Sequence, residues 1–501
     1  MERVAALCAH RYEANWSERT HHSKGAFPPP LRGRVRERGA TRRALSIVGA
    51  SARLPLPSQP TTTPHDCQTL DVDQLAWVRI KPTSLGANDK VSSMRVTGRV
   101  LFVLTVAFAS LGAMSQQQHS EQPASDNEIR IGNVMPYSGP LSEFGAIGQA
   151  EAAYFDMVNA RGGINGRKIR FITRDDNSDP ASALELTRNL VEKDDVHVMF
   201  GSFGTPGNLA TRWYLNEKKV PQLFVASGDE ELSQAKAFPW TMGWQPSFRS
   251  EGRIYANYIQ AYYPHRKIVV LWQNDQFGRA LLRGMEEGLG DLNRLVLVDI
   301  AFDINDEHLD GHVSILKRAG ADIFVFLGVP STAAKVIKLA ASLKWRPVFI
   351  VNDASASIAN AMAPAGLENS SGVISAAFLK DPSDPAWKDD SAMKDWFAFM
   401  DKYHHVESTN NSAALYGYAA AEALTQVLKQ CGDDLSRENI MRQAASLKAY
   451  QPSVALPNIR MNTSPDSYLP IKQMRLVQFD GRSWQPFGDV IETAFTEGAA
   501  R

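Results

Sequence analysis

The clearest candidate for binding chemistry in this sequence is a glycine-rich stretch, residues 201–207, which reads GSFGTPG. It follows a short apolar run, residues 196–200, and leads into a helix predicted from Asn208. A loop that feeds a helix N-terminus aims free backbone N–H groups at an anion. The loop lacks the GxGxxG spacing of a dinucleotide fingerprint. The pattern therefore does not predict a dinucleotide site, although such a loop can hold an anion.

Histidines offer a second kind of chemistry. His308 and His312 are spaced i, i+4 and could share a helix face as metal ligands. Glu307 and Asp310 adjoin them, which favours a solvated helix face instead. None of the candidate histidines lies in an HExxH, CxxC or GxSxG setting. We therefore expect no catalytic residues, no metal site and no cofactor, and we predict that the protein is not an enzyme.

The stretch 129–180 shows which elements position such loops. An apolar run from Ile129 to Pro136 predicts a strand, and apolar residues at helical spacing follow over 147–158. Residues 168–173 form the next predicted strand, and Asp179-Pro180 predicts an N-cap and first helical position. This order implies a right-handed parallel unit, and ligands in such sheets lie at the carboxyl ends of strands. Residues 138–144 occupy that place.

The same alternation continues along the chain. A loop-like segment, residues 238–250, contains Trp240 and Trp244, and we place the first crossing between two lobes there. A second series of units begins at Arg249. Further strands are predicted at 196–200, 220–225, 267–271, 295–299, 322–327 and 348–351, helices at 308–319, 331–343, 395–404 and 413–430, and a hairpin at 474–487. The repetition is of whole lobes.

Length and composition limit the possible domain number and partners. The chain has 501 residues, too many for one compact domain, so two lobes plus extra segments are expected. It contains 54 basic and 54 acidic residues, so its charge gives no reason to expect nucleic acid as a partner. Of the three cysteines, only Cys431 would remain after processing, and it cannot form an intramolecular disulfide.

The N-terminal part differs from the rest. Residues 1–93 are rich in Arg and Pro, and we predict that they are disordered or come from an upstream start; a genuine extension is the alternative. Residues 94–115 predict a secretory signal peptide, with Arg95 and Arg99 before an uncharged apolar run, residues 100–113. Cleavage is expected near Ser115, with 107–109 as a rival position. Residues 116–127 are predicted to be a flexible lead-in.

Several motifs in this order resemble one family. They are Ser138-Gly139-Pro140, the block 159–166 (NARGGING), Asp175-Asp176 with Asp179-Pro180, the loop 201–207, the block 275–278 (DQFG) and Gly320-Ala321-Asp322. Together they resemble the type I periplasmic substrate-binding proteins of ABC transporters, in particular the branched-chain amino acid (leucine/isoleucine/valine) binding group. The resemblance covers about residues 129–488 and is most specific in the Gly-Gly-Ile-Asn-Gly block.

The resemblance implies an α/β fold of two doubly wound lobes with parallel sheets, joined by a hinge that the chain crosses several times. We expect residues 128–246 plus 376–472 in the first lobe, 247–375 plus 473–490 in the second, and a tail at 491–501. It implies a periplasmic monomer that binds a small carboxylate between the lobes and delivers it to ABC permease subunits.

The resemblance also implies site residues. Thr205 falls at the position whose hydroxyl holds the ligand carboxylate; a capping role before Pro206 is the alternative. Ala226, Ser227 and Gly228 fall in the loop whose backbone contacts the amino acid head, although an ordinary strand-end turn fits them too. Trp244 walls the cleft or packs in the hinge, and hinge packing is favoured.

The remaining positions bear on the choice of ligand. Phe144 and Phe277 fall where the amino acid binders usually carry tyrosines, so each change deletes a hydroxyl. The two phenylalanines are expected to form walls of the cleft, and the alternative is that both are core residues. Asp353 falls near the acidic partner of the ligand ammonium, and Asn352 is the alternative because the alignment needs an insertion there. The resemblance implies an amino acid or related small carboxylate first, and an aromatic acid or amide second. A ligand-sensing domain of the same fold is the alternative from another functional class.

Overall fold

The structure, a computed structural model, describes residues 128–404 and 408–492. Its strands are β1 (Glu128–Met135), β2 (Lys168–Asp175), β3 (Val198–Phe200), β4 (Gln222–Val225), β5 (Thr241–Gly243), β6 (Ile268–Gln273), β7 (Val296–Phe302), β8 (Ile323–Leu327), β9 (Val348–Val351), β10 (Ile374–Ala377), β11 (Gln473–Phe479), β12 (Trp484–Pro486) and β13 (Ile491–Glu492). Its α-helices are α1 (Ala146–Ala160), α2 (Pro180–Glu192), α3 (Thr205–Glu217), α4 (Phe248–Tyr262), α5 (Gln276–Leu289), α6 (Leu309–Arg318), α7 (Pro330–Ser342), α8 (Ala363–Ala365), α9 (Leu367–Ser370), α10 (Ser391–Tyr403), α11 (Ser412–Cys431) and α12 (Arg437–Ala444).

The predicted N-terminal segments 1–93, 94–115 and 116–127 lie outside the described residues, as does most of the predicted tail. Within the described ranges, no helix is long and apolar enough to cross a bilayer. The apolar run 100–113 is not part of those ranges.

The first sheet is fully parallel and has the strand order β2-β1-β3-β4-β5. Strands β1, β3, β4 and β5 are buried because helices cover both sides of the sheet, whereas the edge strand β2 is partly exposed. On one face α1 and α11 pack together, with Ile131 and Phe200 among the buried side chains. On the other face α2 and α3 pack over Val134 and Met199. The central strands are therefore buried between two helical layers.

The second sheet has the order β12-β11-β10-β9-β8-β6-β7, with β13 paired to β11. Strands β6 to β10 are parallel, and β11 runs antiparallel to both β10 and β12. This pairing confirms the predicted terminal hairpin. Helices α4 and α5 pack on one face and α6 and α7 on the other. The two sheets and their helices confirm the predicted α/β class with doubly wound parallel sheets.

Local capping signals set several helix boundaries. The Asp179 carboxylate accepts hydrogen bonds from the amides of Ala181 and Ser182, and Pro180 is the first helical residue of α2, which confirms the predicted start. Asp275 caps α5 by accepting from the Gly278 amide at 2.9 Å. These side chains satisfy N–H groups that a helix leaves without partners.

The chain crosses between the sheets after β5, after β10 and after α12. Trp244 lies at the first crossing and is fully buried, with its ring centre 4.6 Å from that of Tyr416 and 5.8 Å from that of Phe378. Those two residues follow β10 and begin α11, so Trp244 packs among the crossing segments. The exact lobe boundaries stay a prediction.

The contact between α1 and α11 depends on a glycine. A Cβ atom added to Gly417 would lie 2.3 Å from the carbonyl oxygen of Ile147. We expect Gly417→Ala to lower the free energy of unfolding by about 1–3 kcal/mol, because the helices must separate to admit the methyl group. Urea denaturation measures this change.

The matched control for that substitution is Gly311→Ala. Gly311 is exposed within α6, and a Cβ there meets nothing within 4 Å. The control should be neutral or stabilising by up to about 1 kcal/mol, because alanine is the better helix former. Equal losses in both variants would contradict the close packing of α1 on α11.

Candidate functional site

Each sheet brings two loops together where its strand order reverses. In the first sheet, β2 and β3 lie on opposite sides of β1; in the second, β7 and β8 lie on opposite sides of β6. The carboxyl ends of β1 and β3, and those of β6 and β8, are therefore the places where ligands bind in open parallel sheets. Residues from all four loops line one cavity of about 260 Å³. This cavity is the candidate site.

Six of the seven predicted site residues line this cavity. They are Phe144, Thr205, Ala226, Ser227, Phe277 and Asp353. The structure thus brings together residues that are up to 209 positions apart in sequence, from Phe144 to Asp353 (353 − 144). Whether they contact a ligand stays a prediction.

Gly228 is not among the lining residues. A Cβ atom there would lie 2.5 Å from the carbonyl oxygen of Pro246 and 2.7 Å from a ring carbon of Phe248. Its own carbonyl accepts a hydrogen bond from the Phe248 amide at 2.9 Å. The glycine therefore allows the first crossing segment to approach the β4 loop closely.

The Thr205 hydroxyl is directed at a second hydroxyl. Thr205 is the first residue of α3, Gly204 is the N-cap, and no side chain caps this helix. The capping alternative for Thr205 is therefore wrong. Its Oγ1 lies 2.7 Å from the Ser227 Oγ, and both residues are buried. Two hydroxyls beside the N–H groups of a helix first turn can hold an anionic oxygen.

Backbone bonds fix the two first-sheet loops to each other. The Ala226 amide donates to the Ser202 carbonyl at 3.1 Å, and the Gly204 amide donates to the Ala226 carbonyl at 3.2 Å. Just before them, the β4–β5 register shifts and Phe224 has a φ of 52°. Such a φ is costly for a bulky residue, about 1–3 kcal/mol, and strain of this kind is concentrated at functional sites.

Aromatic side chains from both sheets wall the cavity. Phe144 stacks on Phe203 with ring centres 4.5 Å apart, and both belong to the first-sheet loops. From the other side, Phe277 meets Phe248 edge to face at 4.8 Å. Both predicted phenylalanines thus lie at the cavity surface. Phe203 and Phe248 also line the cavity, although the sequence did not predict them as site residues.

Asp353 is half-buried and lies beside another carboxyl group, that of Glu251. The Asp353 amide donates to Glu251 Oε1 at 2.6 Å, and the Tyr255 hydroxyl donates to the same oxygen at 2.6 Å. Removal from water, followed by the neighbouring Glu251 charge, raises the pKa of Asp353 well above its usual range. Burial also raises the pKa of Glu251, to about 7. Across the described residues, no hydrogen bond reaches the Asp353 carboxylate oxygens.

The alternative residue, Asn352, is fully buried and does not line the cavity. Its side-chain oxygen accepts a hydrogen bond from the Gly328 amide at 2.8 Å. The structure therefore places Asp353 at the cavity and gives Asn352 the task of holding the β8 loop.

Sequence reasoning missed Glu251, although one signal was present. Glu251 and Tyr255 are spaced i, i+4 on α4, so their side chains can pair on one helix face. A second missed pair joins the crossing segments, where the Tyr416 hydroxyl donates to the Gln245 side chain at 2.8 Å. Both of those residues line the cavity.

One further contact bridges the two sheets at the cavity edge. The Ser331 hydroxyl, in the first turn of α7, donates to the Glu143 carboxylate at 3.1 Å. Glu143 precedes α1 in the loop after β1. Burial is the largest cause that raises the pKa of Glu143, and the Ser331 bond offsets it in part.

The buried Glu251 should make the stability of the protein depend on pH. Its folded pKa of about 7 lies above the ordinary value of 4.5. Its contribution to stability is therefore complete below about pH 4.5 and is lost as pH rises through 7, by about 3 kcal/mol. Glu251→Gln should remove this loss. Urea denaturation of both proteins without ligand at pH 5 and pH 8 measures it.

Glu217→Gln, at the exposed end of α3, is the control for that experiment. It should keep the parent's difference in unfolding free energy between the two pH values. A Glu251→Gln protein with the parent's full difference would show that Glu251 is not the titrating group.

Comparisons with known proteins agree with this architecture. The family described as "Periplasmic binding protein" matches residues 128–483. The Leu/Ile/Val-binding protein homolog 1 of Brucella abortus (strain 2308) is 27% identical over 321 residues, covering 62% of this chain and 81% of that protein.

Two solved structures share the fold. The branched-chain amino acid ABC transporter protein from Thermus thermophilus, with bound valine, has a TM-score of 0.65 and 18% identity, covering 73% of this chain and 97% of that one. The solute binding protein of an ABC transporter from Rhodopseudomonas palustris BisB5, in complex with 3,4-dihydroxybenzoic acid, has a TM-score of 0.61 and 16% identity, covering 74% and 98%. Because the family match spans most of the chain, and because both sheets and the cavity between them fit it, the chain belongs to the periplasmic binding protein family, whose members bind solutes and are not enzymes.

Proposed function

We propose that this protein is the extracytoplasmic solute-binding component of an ABC importer, and that it binds a branched-chain amino acid or a related small carboxylate. The observation that carries the proposal is that hydroxyl donors and a carboxylate line the same cavity. Thr205 and Ser227 present hydroxyls at the start of α3, and Asp353 presents a carboxylate from the second sheet. An amino acid head carries the matching carboxylate and ammonium.

The Glu251–Asp353 pair supports an ammonium partner. No hydrogen bond from the described residues reaches the Asp353 carboxylate, which lines the cavity. A second carboxylate beside it makes the full ionisation of both groups unfavourable. A ligand ammonium would neutralise this charge and would replace water that the carboxylate loses on closure.

Binding in this position would close the two halves of the molecule. A ligand shifts a conformational equilibrium only by its difference in affinity between the two states. A change from 1:99 to 99:1 needs about 5.5 kcal/mol. Contacts to Thr205 lie on one sheet alone, so contacts to Phe277 and Asp353 on the other must supply the difference. The proposed closure is a hinge motion about the three crossing segments.

An aromatic acid is the second candidate ligand. The observation that favours it is the aromatic lining, with Phe144 stacked on Phe203 and Phe277 against Phe248. Such rings contribute apolar area and offset stacking but no hydroxyl. The absence of an ammonium on such a ligand would leave Asp353 without a partner, so this candidate ranks second.

The proposal also includes export and delivery. The predicted signal peptide, residues 94–115, would direct the protein out of the cytoplasm, where it would act as a monomer and dock on membrane permease subunits. Permease and ATPase genes beside this gene would support the transporter role over a sensing role.

The affinity for leucine should depend on pH in a defined direction. Below about pH 7 the Glu251–Asp353 pair takes up a proton and loses negative charge. Leucine binding should therefore weaken by up to about tenfold per pH unit as pH falls from 7 to 5. An aromatic acid such as benzoate should bind more tightly over the same range. Calorimetric titration of each compound at pH 5, 6, 7 and 8 measures these trends.

Small-angle scattering on the same samples tests the closure. The radius of gyration should fall when a ligand that stabilises the protein is added. If benzoate stabilises the protein and leucine does not, the first-ranked ligand is wrong. If no stabilising ligand compacts the protein, the hinge mechanism is wrong.

Removal of the Thr205 hydroxyl should weaken binding without unfolding the protein. A charge-assisted hydrogen bond contributes about 1.5–3 kcal/mol, so Thr205→Ala should raise the dissociation constant by about one to two decades. Thr205→Ser keeps the hydroxyl beside Ser227 and is the matched control. Calorimetry of parent, Thr205→Ala and Thr205→Ser decides the matter, and an unchanged constant in the alanine variant would exclude Thr205 from the site.

A further inference from the structure

The cavity has a second part, which is lined by residues other than those of the proposed head-group site. We call this second part the rear chamber and define it by Phe378, Leu379, Trp387, Leu456, Val477 and Trp484. These side chains come from the segments after β10 and after α12 and from the β11–β12 hairpin. All six are apolar or aromatic.

Hydrogen bonds connect these segments into one wall. The Leu456 amide donates to the Phe378 carbonyl at 2.9 Å, which joins the second and third crossing segments. The Trp484 indole donates to the Ala356 carbonyl at 2.9 Å, which joins the hairpin to the loop after β9. The rear chamber is therefore a built feature of the crossing region, and it lies on the same cavity as Asp353.

The charged groups at the rear chamber are occupied by protein partners. The Lys380 ammonium lies 2.8 Å from the Asp390 carboxylate. Asp381 accepts hydrogen bonds from the amides of Ile358 and Ser383, each at 2.7 Å.

Asp384 is occupied in the same way. It accepts from the amides of Ala386 and Trp484, each at 2.8 Å. A charged or polar ligand group placed in the rear chamber would lose water without gaining a partner, which is costly. An apolar group would lose nothing there.

We propose that the natural ligand carries an apolar tail longer than that of leucine, and that this tail fills the rear chamber while the polar head stays at Thr205 and Asp353. This inference rests on the proposed function and names its substrate class, amino acids or carboxylic acids with an extended aliphatic or aromatic tail. Each additional buried methylene should tighten binding roughly fourfold. Affinity therefore rises with tail length until the chamber is full.

Two amino acids that differ in the tail test the inference. Leucine has an isobutyl side chain, and 2-aminooctanoate has an unbranched hexyl side chain. We expect 2-aminooctanoate to bind the full-length parent protein about tenfold more tightly, by calorimetric titration at pH 8. Leu379→Trp should fill the chamber and abolish this preference, because the larger side chain takes the volume that the longer tail would occupy.

Two further variants make the test robust. Ile315→Trp, on the exposed face of α6, is the matched control for adding an indole and should keep the parent's preference. Trp387→Ala enlarges the chamber and should move the tightest binding to a longer tail, that of 2-aminodecanoate. It provides a readout even if Leu379→Trp does not fold.

The outcomes separate this inference from the proposed function. If the parent binds leucine as tightly as 2-aminooctanoate, or if the preference survives in Leu379→Trp, the tail inference is overturned and the proposed function stands. If the parent binds neither amino acid nor the corresponding carboxylic acids, the proposed function fails and the tail inference fails with it.

Discussion

The candidate site of this protein depends on the reversal of strand order in the parallel part of each of its two sheets. At each reversal, two loops leave neighbouring strands in opposite directions and open a crevice between them. The first reversal lies between β1 and β3, and the second between β6 and β8. Because the chain crosses three times between the sheets, the crossing segments hold both crevices on one cavity. Neither sheet lines this cavity alone.

Two acidic residues lie close together at the cavity, and no cationic side chain pairs with them among the described residues. Glu251 and Asp353 lie next to each other, with the Tyr255 hydroxyl and a backbone amide as the donors to Glu251. Burial without a cationic partner raises the pKa of a carboxylate, because the ionised form loses its hydration. A cationic group placed beside Glu251 and Asp353 would therefore lower their pKa values and favour their ionised forms. Such an arrangement costs stability and is typical of a binding site rather than of a core.

The two parts of the cavity differ in whether their polar groups are already bound by other protein groups. Around Thr205 and Asp353, hydroxyl and carboxylate groups face the cavity. In the rear chamber, Lys380 and Asp384 are engaged by protein groups, and the exposed surface is aromatic and aliphatic. This contrast distinguishes a polar head from an apolar tail in any ligand that occupies both parts. Size alone would not make that distinction.

The sequence by itself determined the elements, because apolar periodicity and caps act over a few residues. Asp179-Pro180 marked the start of α2, and the run 348–351 marked β9 to the residue. The short strand β5, in a segment interpreted as a loop, and the helix α12 were missed, because their few residues carry little periodicity. The family resemblance placed Thr205, Phe144 and Asp353, and the structure brings them to one cavity.

Only the tertiary structure decided what surrounds those residues. It placed Glu251 beside Asp353, across 102 positions, and Ser227 beside Thr205. It removed Gly228 from the cavity surface, because the backbone at Pro246 approaches too closely for any side chain. Such relations depend on distances between segments that are far apart along the chain. Periodicity along one segment carries no information about them, since burial and pairing arise only when the sheets and crossings are assembled.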